Sequence, residues 1–164
     1  MIHKKLDDKN ILYKTTLFPS INQSKKTNMH HKALLGIGGN IGDVQRRFHH
    51  LYYYLQKSNF IEIIESSYIL KNPPFGYDKQ DDFFNALLYI KTPLLPFELL
   101  RYILRVEKIF RRKRLFANAP RTLDIDIIFY EDKIINHPTL TLPHPHWNER
   151  TSVLIPLLLM KNKI

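Results

Sequence analysis

The spacing of hydrophobic residues changes period several times along the chain, and each change predicts an element. Ala33-Leu34-Leu35-Gly36-Ile37 is a short continuous apolar run beside glycines, the pattern of a buried strand. From Asp43, a residue suited to capping a helix, the period becomes helical, with Val44, Phe48, Leu51, Tyr52 and Leu55 on one face. Phe60 to Ile69 is rich in Ile, with Glu62 and Glu65 interspersed, and Phe83 to Ile90 is a second β-type run; the Pro- and Gly-containing segment Asn72 to Gln80 makes a long loop between them. Pro96 opens a second helix with Leu99, Ile103, Val106 and Phe110 along one side and Arg101, Arg105, Lys108 and Arg112 off that stripe. Thr122 to Tyr130 is the most β-like run, and Glu131-Asp132-Lys133 can turn it into a short partner at Ile134 and Ile135.

Strand, helix, strand, strand, helix, strand is the order of a ferredoxin-like βαββαβ core. The expected fold is therefore α+β, an antiparallel sheet with helices packed on one face. Residues 1–32 show weak periodicity and a polar stretch from Pro19 to Ser24, which predicts a loosely ordered N-terminal extension ahead of one folded domain over 33–164.

Composition narrows the functions open to such a domain. No run approaches the roughly 20 apolar residues of a spanning helix, and no apolar run follows Lys4, Lys5, Asp7, Asp8 and Lys9, so a cytoplasmic chain with no membrane role is expected. The absence of cysteine removes disulfides, thiolate metal sites and cysteine nucleophiles, and leaves oxygen or imidazole as the only metal ligands. The net charge of +10 points to a polyanion, either nucleic acid or a nucleotide triphosphate. Half of that excess lies in residues 1–32, which hold seven Lys against Asp7 and Asp8.

Candidate chemistry concentrates in Pro120-Arg121-Thr122-Leu123-Asp124-Ile125-Asp126-Ile127-Ile128. Side chains alternate along a strand, so Asp124 and Asp126 share one face while Leu123, Ile125 and Ile127 enter the opposite layer. Two carboxylates side by side repel unless a cation lies between them. Magnesium with a bound polyphosphate suits the pair, because that ion keeps few protein ligands and takes the rest from phosphate and water. Arg111, Arg112, Lys113, Arg114 and Arg121 crowd the approach and supply donors for phosphate oxygens. An RNA-binding sheet would need a basic, glycine-containing run of alternating aromatics, which the chain lacks. Gly38-Gly39-Asn40-Ile41-Gly42 matches no phosphate-loop pattern and is expected to be a tight turn.

The Pro120–Ile128 run resembles the signature of the 6-hydroxymethyl-7,8-dihydropterin pyrophosphokinases, and other segments follow in that family's order. Gly38 to Gly42 resembles its opening turn, Asn72-Pro73-Pro74-Phe75-Gly76 its pterin loop, Phe83-Phe84-Asn85-Ala86 its third strand and Leu142-Pro143-His144-Pro145 its histidine motif. The resemblance implies transfer of pyrophosphate from ATP to the pterin hydroxymethyl group. It implies that Asp124 and Asp126 bind a pair of magnesium ions, with Arg121, His144, Arg112 or Arg114 on the triphosphate and Glu107 near the nucleotide. It also implies that Asn85 reads the pterin, Phe83 stacks on it, and Asn72 and Phe75, held by Pro73 and Pro74, complete its hydrogen bonds. No obligate protein partner is implied. Asn118 and Ala119 stand where the family commonly has a tryptophan and glycine, Thr139 and Pro145 where it has arginine and tyrosine, and Ser152 where many members carry a phenylalanine over the second pterin face.

Overall fold

A computed structural model describes residues 2–162. Along the chain run β1 (Ile2–Lys5), β2 (Ile11–Lys14), β3 (Ser20–Ile21), β4 (His31–Gly39), α1 (Val44–Lys57), β5 (Glu62–Ser66), β6 (Ile69–Asn72) and β7 (Phe83–Thr92). They are followed by α2 (Pro96–Ile109), β8 (Asp124–Tyr130), β9 (Ile135–His137), β10 (Leu140–Leu142), a 3-10 turn at Trp147–Glu149 and α3 (Thr151–Leu158). Strands β1 to β8 form one antiparallel sheet in which β4 lies between β7 and β8, and β5 and β6 both pair with the far side of β7.

Both helices begin where the apolar period does. Asp43 accepts the Arg46 N–H at 3.0 Å, and Val44, Phe48, Leu51, Tyr52 and Leu55 are the buried face of α1. In α2, Pro96 fills the first turn, Glu98 accepts the Leu95 N–H at 2.7 Å, and Leu99, Ile103 and Val106 are buried. These stripes cover one sheet face, packing on Ala33, Leu35, Ile37, Ile125 and Ile127. Leu34, Leu87, Tyr89 and Ile128 face the other way and are covered by Val153, Met160, Trp147 and Leu157 of the C-terminal region. Coverage on both sides explains why β4 reads as a continuous apolar run rather than an alternating one.

Three local expectations need correction. The Ile-rich run from Phe60 is two strands, β5 and β6, broken at Ser67 and Tyr68, and its Glu62 and Glu65 are buried. Ile135 starts β9, which pairs with β10 rather than folding back on β8. Residues 2–32 are not a loose appendage: β1 and β2 extend the sheet beyond β6, and β3 pairs with β5.

Scattered anchors hold that segment, and periodicity is blind to them. Phe18 is fully buried among Phe48, His49 and Tyr52, a contribution of about 1.5–3 kcal/mol. The Asn22 side chain donates to the Tyr52 hydroxyl at 2.6 Å and to the Ile63 carbonyl at 3.0 Å. Lys26 Nζ donates to the carbonyls of Gln56, Ser58 and Ile61, while Glu62 accepts from the Ser24 hydroxyl and from the Lys25 and Lys26 N–H groups. Glu65 does the same for the other terminus, accepting from the Lys161 and Asn162 N–H groups at 2.7 Å.

Candidate active site

Register on the central strand builds the floor of a cleft. Gly38 lies opposite Asn85 on one neighbour and Asp124 on the other, and Gly36 opposite Leu87 and Asp126. Neither glycine sends a side chain between these groups. A Cβ at Gly38 would meet Asn85 Oδ1 at 2.7 Å, and one at Gly36 would meet Ile128 Cδ1 at 3.1 Å. The expectation of a tight turn for the whole glycine run is corrected here: Gly38 and Gly39 are strand residues, and only Gly42 of that run has a positive φ, 71°. Their absent side chains clear the cleft and the backbone approach to Thr122, whose carbonyl lies 2.6 Å from where a Gly39 Cβ would sit.

On this floor stand two adjoining clefts. The first is walled by Asn72, Pro73, Phe75, Phe83, Asn85 and Ser152. Asn85 donates to the Asn72 side-chain oxygen at 2.8 Å, joining the third strand of the core to the start of the 72–80 loop. The Arg121 guanidinium lies 5.1 Å from the Phe83 ring centroid, and Arg150 lies 5.0 Å from that of Phe75. The second cleft is walled by the 112–121 loop and His144. Asn118, Arg121, Asp124, Asp126 and Arg150 border both, so the acidic pair sits at the seam.

Arginines surround Asp124 unequally with respect to Asp126. Arg112 donates to Asp124 Oδ1, and Arg121 donates to its Oδ2 at 2.9 Å. Among the described residues the one ion-pair contact of Asp126 within 4 Å is His144 Nε2 at 3.8 Å, and its side chain keeps 37% exposure. Enclosure by the cleft and the neighbouring Asp124 carboxylate push the Asp126 carboxyl up to about 7. Arg150 and Arg112 act the other way and offset that rise only in part. Burial and then Arg150 hold His144 below the usual imidazole value.

A hard divalent cation fits the donor set. Among the described residues no three His, Cys, Asp or Glu side chains gather into a closed cage. Two carboxylates on one strand face, with room beside them, are the sparse protein contribution that magnesium accepts when phosphate and water complete its shell. Arg112 Nε, Arg150 Nε and His144 Nδ1 are buried around the seam without hydrogen-bond partners among the described residues.

Asn72, Phe75, Phe83, Asn85, Arg112, Arg114, Arg121, Asp124, Asp126 and His144 all border these clefts. Two expected site residues do not. Pro74 faces an outer groove shared with Lys9 and Asn10. Glu107 is 2% exposed behind the second cleft, where it accepts from the Ile125 N–H at 2.9 Å and Arg114 Nη2 at 2.7 Å and lies 3.6 Å from Arg112 Nη1. Burial raises its carboxyl above the usual range, with the Ile125 N–H acting the other way.

Sequence reasoning missed Arg150, which borders both clefts from the turn before α3, and Asn40, whose side chain accepts the Arg121 N–H at 2.9 Å and donates to Gln80 and the Asp81 carbonyl. Neither carries a local pattern, because each acts through residues tens of positions away.

Comparison with known proteins places relatives beside this geometry. The family described as 7,8-dihydro-6-hydroxymethylpterin-pyrophosphokinase matches residues 34–162. A 2-amino-4-hydroxy-6-hydroxymethyldihydropteridine pyrophosphokinase of Helicobacter pylori is 40% identical over 146 residues, covering 88% of this chain and 89% of the relative. A protein of the same name from Campylobacter jejuni is 37% identical over 144 residues, covering 88% and 91%. One from Aquifex aeolicus is 39% identical over 125 residues, covering 76% of each chain.

Proposed function

The chain belongs to the 7,8-dihydro-6-hydroxymethylpterin-pyrophosphokinase family and transfers pyrophosphate from ATP to hydroxymethyl-dihydropterin in folate synthesis; we propose that the two clefts divide its substrates, with the acidic pair at their seam. The observation that carries this reading is that Asp124 and Asp126 border both clefts at once.

The first cleft suits the pterin. A flat heterocycle fits between glycine floor and aromatic wall, with Phe83 stacking on it and Asn85, Asn72 and the Phe75 backbone supplying hydrogen bonds at its edge. The 2.8 Å bond between Asn85 and Asn72 presets that edge. Pro73 and Pro74 stiffen the loop backbone. In the second cleft Arg112, Arg114, Arg121 and His144 bind the triphosphate, and Glu107 acts by holding Arg112 and Arg114 rather than by touching the nucleotide. Arg150, placed between the clefts, is a further candidate for the transferred phosphates.

Asp124 and Asp126 would hold a pair of magnesium ions. When bound, these neutralise the triphosphate and make the β-phosphorus more electrophilic. The chain's own task is alignment: the hydroxymethyl oxygen is presented to the β-phosphorus from the pterin side while the arginines fix the phosphates from the other. AMP leaves and the diphosphate ester forms. Such transfers depend on positioning and charge more than on a strong base.

We also read the order β8, β4, β7 and then β5 with β6 as the ferredoxin-like plan, supported by two helices on one face. Residues 33–164 are assigned the catalytic domain. Among the described residues no helix is long and apolar enough to cross a membrane. We propose a cytoplasmic location and, as partners, the small-molecule substrates alone.

The test is pterin-dependent AMP release by the unaltered chain and by Asp124→Ala. Retained turnover in the variant removes Asp124 from the proposed site. Loss of about 10³-fold or more, with pterin binding kept, is expected.

A further inference from the structure

The first strand pair of the chain ends beside the pterin loop. In the β2–β6 register Ile11 lies opposite Lys71, so Asn10, next along the chain, follows beside Asn72. Asn72 is the residue that receives the Asn85 hydrogen bond. The turn between β1 and β2 is itself ordered: Asp7 Oδ1 accepts the Lys9 N–H at 2.7 Å and the Asn10 N–H at 2.8 Å, and Asp7 also receives the Asn10 side chain.

That turn closes a groove against the back of the substrate cleft. Lys9 and Asn10 form one wall, and Asn72, Phe75, Arg150 and Ser152 form the other. The same four residues border the first cleft from its other side. Only one layer of side chains therefore separates the hairpin turn from the cleft. Ser152 is the smallest of these four side chains, and the aromatic member, Phe75, is 59% exposed with Arg150 over its ring. Farther along, Tyr13 of β2 packs against Phe84 with ring centroids 5.7 Å apart, fixing the hairpin to the strand that carries Phe83 and Asn85.

Resting on the assignment of the first cleft to the pterin, we infer that the β1–β2 hairpin is a positioning element for that substrate. Its Asp7–Asn10 turn is the outer wall that restrains the 72–80 loop and the Phe75–Arg150 stack beside Ser152. Among the described residues the hairpin lines none of the second cleft, so its influence falls on pterin affinity and leaves the nucleotide end alone.

The full chain carrying Asp7→Ala and Asn10→Ala tests this. Asp7 is exposed and Asn10 half-buried, and neither lines the two clefts. The KM for hydroxymethyl-dihydropterin should rise about five-fold, the scale of one or two side chains that must be ordered on binding, with kcat and the KM for ATP unchanged within about two-fold. Amide hydrogen exchange in 72–80 of the substrate-free variant should quicken while β4 and β8 stay protected. Unchanged exchange in that loop, an unchanged pterin KM, or an equal loss for both substrates overturns the inference. Absence of pterin-dependent AMP from the unaltered chain would instead strike the cleft assignment, and the exchange measurement would still decide whether the hairpin restrains the loop.

Discussion

Glu107→Gln separates a residue that holds arginines from one that reads the nucleotide. Glu107 is almost fully buried, and its two oxygens serve Ile125 N–H and Arg114, with Arg112 close by. The amide is nearly isosteric and keeps one oxygen for Ile125, so strand β8 should stay attached to α2. What disappears is the charge. Arg114 is 60% exposed and recovers its hydrogen bonds from water, so that half of the loss is worth only about 0.2–1 kcal/mol. Arg112 is 10% exposed and keeps Asp124, so losing the more distant Glu107 weakens its placement without orphaning it. A total near 1–2 kcal/mol follows, or about 2–4 °C in Tm for each kcal/mol in a chain of this size. In steady-state assays the KM for ATP should rise about ten-fold, equivalent to 1.4 kcal/mol, with the pterin KM unchanged. An unaltered ATP KM together with unaltered Tm refutes the idea that Glu107 sets the arginines. A fall beyond about 4 kcal/mol would mean that Ile125 had lost its acceptor as well.

Two further outcomes concern the N-terminal segment. Phe18→Ala empties a fully buried site between β3 and α1 and should cost about 3–5 kcal/mol by denaturant unfolding; a change below about 1 kcal/mol would show that residues 2–32 are dispensable to the core. Burial raises the Glu62 carboxyl, but the Lys25 and Lys26 N–H groups and the Ser24 hydroxyl outweigh it, and the folded value is below the usual one. With a depressed folded value, its stabilisation is complete above the unfolded carboxylate pKa of about 4.3 and is lost as pH falls through the folded value. Between pH 7 and that acid limb, unfolding free energy should therefore fall less in Glu62→Gln than in the unaltered chain; parallel pH profiles would contradict this.

Legibility followed the range of the interactions. The buried faces of α1 and α2 were readable because each repeats within a few turns, and the shared face of Asp124 and Asp126 followed from strand alternation alone. The burial of Glu62 and Glu65 was not legible, since each is an acceptor for a segment far away in the chain. The N-terminal strands were hidden for the same reason. Lys26 looks like one more surface charge until its three carbonyl partners are brought together by α1 and β5. At the site, the motif pointed to the acidic pair and to Arg121, but nothing local reveals that Gly36 and Gly38 are a floor, or that Arg150 reaches the same seam.

The acidic seam is tested most directly by counting manganese ions, as a spectroscopic substitute for magnesium, bound to the chain with a non-hydrolysable ATP analogue and hydroxymethyl-dihydropterin present. Two bound ions are expected in the unaltered chain, with loss of at least one in Asp126→Asn at the same free metal concentration. Equal occupancy and affinity in the two proteins would contradict the assignment of Asp126 to the metal.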